Sequence, residues 1–215
     1  HRLKKNLNYK LLIDTEKRKL TQRNHSATHL LQSALIEVLG DHVKQSGSMV
    51  NSERLRFDFT HMQALKISEL TKIEDLVNSK IQSSLHVSAN VMNIKDAQKK
   101  GAMALFGEKY GTEVRVLEMG DFSIELCGGT HVSNTSDIGL FIISAESSLS
   151  TGVRRIEAMT SVTAFKYLKD RDQILKKVEA ATNSKDEDVV SRVQNSLKDI
   201  KSLQKDIKQL EQKII

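Results

Sequence analysis

The chain has 215 residues, an apolar fraction of 39%, only 4% aromatics and a net charge of +6, enough for one or two domains with a real core and too periodic in its apolar residues for disorder. No apolar run approaches the roughly 18 residues of a membrane span, the N-terminal HRLKKNLNYK lacks the apolar stretch of a signal peptide, and the single cysteine, Cys127, excludes an internal disulfide and fits a reducing compartment. The positive charge is compatible with a solvated basic surface and with a polyanionic partner such as nucleic acid, and does not choose between them. His1 is not an initiator Met, so a fragment or a processed chain is expected.

Residues 1–20 read as one or two short strands around Leu11–Ile13, the end of a preceding β subdomain. A helix is expected from near Thr21 to Leu39, with Leu31, Leu35, Val38 and Leu39 as its apolar stripe and Gly40 as its stop. Alternation predicts a strand at Leu55–Phe59, with Leu55, Phe57 and Phe59 on one face. Ile67, Leu70, Ile73, Val77 and Ile81 have helical spacing, and Val87, Ala89 and Val91 alternate as a strand. Lys95–Phe106 reads as a further helix. Val114–Leu117, Ser123–Cys127, Leu140–Glu146 and Arg154–Thr160 read as strands. This order of mixed elements over residues 21–163 predicts an α+β sandwich.

Composition changes after Thr163, where glycine disappears and helix-forming residues dominate. Residues 164–215 read as a helical extension. Its first helix ends near Ala181, and Ser184-Lys-Asp-Glu187 has the form of a capping box opening the second. There Val193, Ile200, Leu203, Ile207, Leu210 and Ile214 follow the alternating spacing of a coiled-coil seam, broken at Ser196. The seam runs to the last residue, so a truncated coil and weak self-association through this helix are expected.

Two residue pairs carry the chemistry. His25-Ser-Ala-Thr-His29 places two imidazoles one above the other on a helix, within reach of one ion. Cys127-Gly-Gly-Thr-His131 offers a thiolate and an imidazole across a turn that its glycines would allow. Three nitrogens and one sulfur suit zinc. Neither pair alone establishes a site: an HxxxH pair also fits a surface or a satisfied core, and a lone cysteine fits a small buried apolar position. Glu125 shares a strand face with Cys127. It is placed either to orient a ligand histidine through the ring's other nitrogen or simply to meet solvent. His42, His61 and His86 have no partner at ligand spacing and read as structural or surface residues.

Asn24-His-Ser-Ala-Thr-His-Leu-Leu31 resembles the HxxxH signature of alanyl-tRNA synthetase editing domains, and Leu126-Cys-Gly-Gly-Thr-His-Val132 resembles their second zinc motif. Leu55-Arg-Phe-Asp-Phe59 and Gly152-Val-Arg-Arg-Ile-Glu-Ala158 also match, in order, so the resemblance covers roughly residues 15–162. It implies zinc held by His25, His29, Cys127 and His131. It implies hydrolysis of serine or glycine wrongly attached to alanine tRNA, acting on the tRNA(Ala) acceptor end in the cytoplasm or an organelle. An alanine-activating pocket cannot exclude the smaller glycine and rejects serine poorly, so a second site must read the serine hydroxyl. The resemblance places this reading at Gln45 and Ser46; a polar turn before Gly47 is the plainer interpretation. Zinc can activate water or orient the substrate, and a set of four ligands favours the orienting role. Arg154 and Arg155 are the candidates for tRNA phosphates, although strand alternation sends them to opposite faces. A freestanding alanyl editing protein, a threonyl-tRNA synthetase editing domain, a non-catalytic tRNA-binding module with structural zinc and a coiled-coil assembly domain are the alternatives.

Overall fold

The structure is a computed structural model that describes residues 9–103, 111–185 and 188–214. It separates into two compact units, His1–Phe165 and Lys166–Ile215. The first is built around helix α1, Thr15–Leu39, and two antiparallel sheets, so the α+β expectation holds.

Helix α1 begins at Thr15 rather than near Thr21. Asp14 caps it, its side chain accepting from Lys17 N at 2.9 Å, and Glu16 complements the positive end of the helix. The strand expected around Leu11–Ile13 is not formed. Residues 9–14 have no regular structure, and Leu11 and Leu12 are 89% and 79% exposed; residues 1–8 of that expectation lie outside the described residues. A local apolar triplet is not enough for a strand when no partner ladder is within reach. The helix stops at Leu39, where Gly40 N donates to Ile36 O.

The first sheet has the order β1-β2-β7-β6, formed by Gln45–Val50, Leu55–Thr60, Val153–Thr160 and Phe141–Ser150. Strand β1 was not legible, because Gln-Ser-Gly-Ser-Met-Val has no apolar alternation. It forms because β2 offers a free edge, with a bulge between Gln45 and Gly47. Gln45 and Ser46 therefore stand at the start of a strand, not in a turn. Leu55, Phe57 and Phe59 of β2 and Ile156 and Ala158 of β7 point to one buried face. They share a core with Ala27, Leu30, Leu31, Ala34 and Leu35 of α1 and with Ile73, Val77 and Ile81 of α2, Ile67–Gln82. The second sheet has the order β3-β4-β5, from Val87–Asn93, Glu113–Met119 and Ser123–Leu126. Leu117 and Met119 join the same core. A 3-10 turn at Thr135–Ile138 leads from the loop after β5 into β6.

Helix α3, Ile94–Lys99, is shorter than the expected Lys95–Phe106. Gly101 at φ +78° takes a left-handed conformation that a helix cannot continue through. Residues 104–106 of that expectation lie outside the described residues. Helix α4, Ser161–Thr182, begins in the first unit, where Ala164 is buried, and ends one residue past the expected Ala181. Helix α5 is Asp188–Ile214. The capping box expected at Ser184–Glu187 falls partly on residues 186 and 187, outside the described residues. Along α5, Leu197, Ile200, Leu203, Ile207 and Leu210 are all exposed. No described helix is long and apolar enough to cross a membrane.

Candidate metal centre

His25 and His29 lie in the middle of α1, one turn apart, on the segment that packs deepest. Cys127 and His131 lie on the loop that leaves β5. The fold brings the four together, with one ligand atom from each lying within 4.8 Å of all the others. Cys127 Sγ is 3.2 Å from His131 Nε2 and 3.7 Å from His25 Nε2. Zinc–nitrogen and zinc–sulfur bonds of about 2.0–2.3 Å imply tetrahedral edges of roughly 3.3–3.8 Å, so these separations suit one small ion.

The surroundings orient the donors. His29 Nδ1 lies 2.6 Å from Glu125 Oε2, and Ser123 Oγ donates to the other Glu125 oxygen at 3.1 Å. Glu125 is 3% exposed. It takes the Nδ1 proton of His29 in a hydrogen bond and leaves Nε2 as the only ligating nitrogen. That Nε2 is buried and has no hydrogen-bond partner. A buried polar atom left alone costs about 1–3 kcal/mol, and a cation bound there removes the cost. On this test the residues fit a metal. Ser26 Oγ sits 3.1 Å from His131 Nδ1 and accepts from Val132 N at 3.2 Å, fixing the far end of the loop.

The electrostatics prepare two of the four donors for ligation. Burial opposes a charge on His29, but the Glu125 carboxylate and the Cys127 thiolate outweigh it and push the imidazole up to about 10. Burial alone would raise the Cys127 thiol; hydrogen bonds with His131 and His25 and the charge on His29 bring it down to about 3. Burial lowers His131 to about 4. At neutral pH the metal-free cluster thus holds a thiolate beside an imidazolium, and Cys127 and His131 are already in their ligating forms.

Only one of the paired glycines is dictated by space. A Cβ at Gly129 would run into the His25 ring, meeting Nδ1 at 2.7 Å and Cε1 closer still, whereas a Cβ at Gly128 meets nothing within 4 Å. Gly129→Ala is therefore expected to displace a donor and weaken metal binding about tenfold or more, and Gly128→Ala to leave it within about twofold. Competition with a chromophoric chelator measures both; equal affinities in the two variants would contradict this geometry.

The other sequence candidates make their contacts with residues outside the four donors. Gln45 and Ser46 line a cavity of about 480 Å³ with Lys44 and Thr60, and Gln45 Nε2 donates to Ser48 Oγ at 3.3 Å. No hydrogen bond joins them to the four donors among the described residues. Arg154 and Arg155 do point to opposite faces, but each holds a carboxylate. Arg154 pairs with Glu146, and Arg155 forks onto Asp58 at 2.7 and 2.9 Å. A tRNA phosphate would have to compete with those acids. His42 and His61, which have no partner at ligand spacing in the sequence, lie Nε2 to Nδ1 at 2.9 Å, because the antiparallel β1–β2 ladder brings its ends together.

Residues 114–157 match the family described as the threonyl and alanyl tRNA synthetase second additional domain. The match includes Cys127 and His131. Over 205 residues, 95% of its length, the chain is 52% identical to the alanine--tRNA ligase of Clostridioides difficile, and it is 49% identical over 203 residues to that of Fervidobacterium nodosum. A similar protein from Shewanella loihica is 49% identical over 202 residues. The chain spans 23% of the length of each of these relatives. The resemblance to alanyl-tRNA synthetases carried by the four motifs is thereby borne out.

Proposed function

We propose that this chain deacylates Ser-tRNA(Ala) and Gly-tRNA(Ala), with zinc held by His25, His29, Cys127 and His131. Residues 21–163 form the editing domain and 164–215 its helical extension. The observation that carries the reading is the four-donor cluster, in which Nε2 of His29 is buried without a hydrogen-bond partner. The similarity to proteins named alanine--tRNA ligases supports the choice of tRNA.

Zinc, when bound, would supply a Lewis acid that orients the aminoacyl ester for attack. Glu125 holds the proton at His29 Nδ1, so the ring cannot turn away from the site. Ser26 does the same for His131. Gln45 and Ser46 are assigned the serine hydroxyl, since a polar reader discriminates serine from alanine where an apolar pocket cannot. The exposed apolar seam of α5 supports weak self-association of this chain. The setting is translation, in the cytoplasm or an organelle.

A polar reader lost from a site contributes on the order of 1–3 kcal/mol, or roughly tenfold to a hundredfold in rate. Gln45→Ala and Ser46→Ala are expected to slow seryl-tRNA deacylation by that amount, with metal content and melting temperature unchanged. Unaltered deacylation in both variants would remove this strand end from the site.

A further inference from the structure

On the reading that His25, His29, Cys127 and His131 hold a metal, we propose that Arg115 is the positioning residue that shapes the loop carrying Cys127 and His131. Arg115 lies on β4, one residue outside the last paired position of the β4–β5 ladder, Val116↔Leu126. There β5 leaves the sheet and becomes the ligand loop. Arg115 follows it with three hydrogen bonds. Its carbonyl accepts from Cys127 N at 3.0 Å. Its guanidinium Nη1 donates to Cys127 O at 2.8 Å and to Gly129 O at 2.8 Å.

Residues 127–129 have no regular structure, so their carbonyls have no ladder to satisfy them. Two carbonyl oxygens converging on one point repel each other unless a strong donor sits between them. A guanidinium supplies that donor and adds charge-assisted strength. The backbone so bent puts the Cys127 sulfur over its own loop, accepting from Gly129 N at 3.4 Å, and turns it toward His25 and His131. Gly129, which cannot carry a Cβ beside His25, is one of the two residues that Arg115 holds.

The other arginines around the sheets differ in kind. Arg56, Arg154 and Arg155 each lie against a carboxylate, whereas the described ion pairs give Arg115 none. Its charge is directed at loop carbonyls. The ligand loop is thus fixed from two elements: Ser26 of α1 holds the His131 end, and Arg115 of β4 holds the Cys127 end. Lysine cannot reproduce this, because an ammonium lacks the flat, pre-set fork of a guanidinium.

The test uses the full chain, Zn(II) and Co(II). Arg115→Ala is expected to bind zinc about tenfold to a hundredfold more weakly than the wild type. Its Co(II) complex should show a weakened, shifted thiolate-to-cobalt absorption band, and millimolar guanidinium ion should restore part of both. Arg115→Lys should fall in between. A merely structural arginine would lower the urea midpoint while leaving the cobalt spectrum unchanged and insensitive to guanidinium. Wild-type affinity and spectrum in Arg115→Ala would overturn the proposal. Should that variant fail to fold, the same outcome in Arg115→Lys overturns it instead. A wild-type chain that binds neither ion would sink the metal reading itself, and this inference with it.

Discussion

His29→Ala is expected to be the most damaging single change in the cluster, on two independent axes. It removes a metal ligand, and it strands Glu125. That carboxylate is 3% exposed and lies 2.6 Å from His29 Nδ1. Removing one partner of a buried pair costs about 3–5 kcal/mol, because the remaining charge is left without compensation. Urea denaturation in the presence of chelator isolates this term from metal loss. The double variant His29→Ala/Glu125→Gln should recover part of the stability, since it removes the stranded charge. The imidazole is raised from its ordinary 6.5 to about 10 in the metal-free protein. Its stabilising contribution is therefore fully present below about pH 6.5 and is lost as pH rises through about 10. A His29→Ala protein within 1 kcal/mol of the wild type near pH 6.5 would contradict this account of the pair.

Phe57→Ala is the second large expected effect, and it tests the scaffold. Phe57 is fully buried on the second strand of the first sheet, with its ring 6.2 Å from that of Phe59. Truncating such a ring loses its transfer free energy and leaves a cavity that the neighbouring core can close only in part. The expected loss is about 3–5 kcal/mol. Leu11→Ala, at an 89% exposed position, should change stability by less than about 0.5 kcal/mol. Thermal or urea melts of the two proteins give the comparison. A Phe57→Ala protein as stable as Leu11→Ala would mean that the core is not centred on this sheet.

The contrast between these two positions shows what the sequence could reveal. Phe57 is legible because Leu55-Arg-Phe-Asp-Phe59 alternates, and alternation is what a half-buried strand imposes. Leu11-Leu12-Ile13 is as apolar but forms nothing, because a strand needs a partner that local composition does not disclose. The β1 strand is the converse: no pattern announces it, and it exists through its pairing with β2. Helix α3 ends at Lys99, before the left-handed Gly101, although apolar residues continue beyond that glycine in the sequence.

In the candidate site, the two i, i+4 pairs were legible because each is local. Their meeting is not, since it depends on how α1 packs against the second sheet; only the motif resemblance joined them in advance. Glu125 was legible as a strand neighbour of Cys127, although its contact with His29 spans 96 residues of sequence. Ser26 was hidden between the two ligand histidines, where a serine is unremarkable until its hydroxyl is seen 3.1 Å from His131. Arg115 reads from sequence as an ordinary strand cation. The His42–His61 contact was missed for the same reason as β1, because the register of that hairpin was not visible.

Hydrolysis of wrongly charged alanine tRNA is the activity we propose for this fold. It is tested most directly by incubating the zinc-loaded chain with seryl-tRNA(Ala) and alanyl-tRNA(Ala) in parallel and following loss of the aminoacyl group. Rapid release of serine, little release of alanine, and loss of serine release in the Cys127→Ala protein are expected. Equal release of the two amino acids, or none beyond the uncatalysed rate from either, would contradict it.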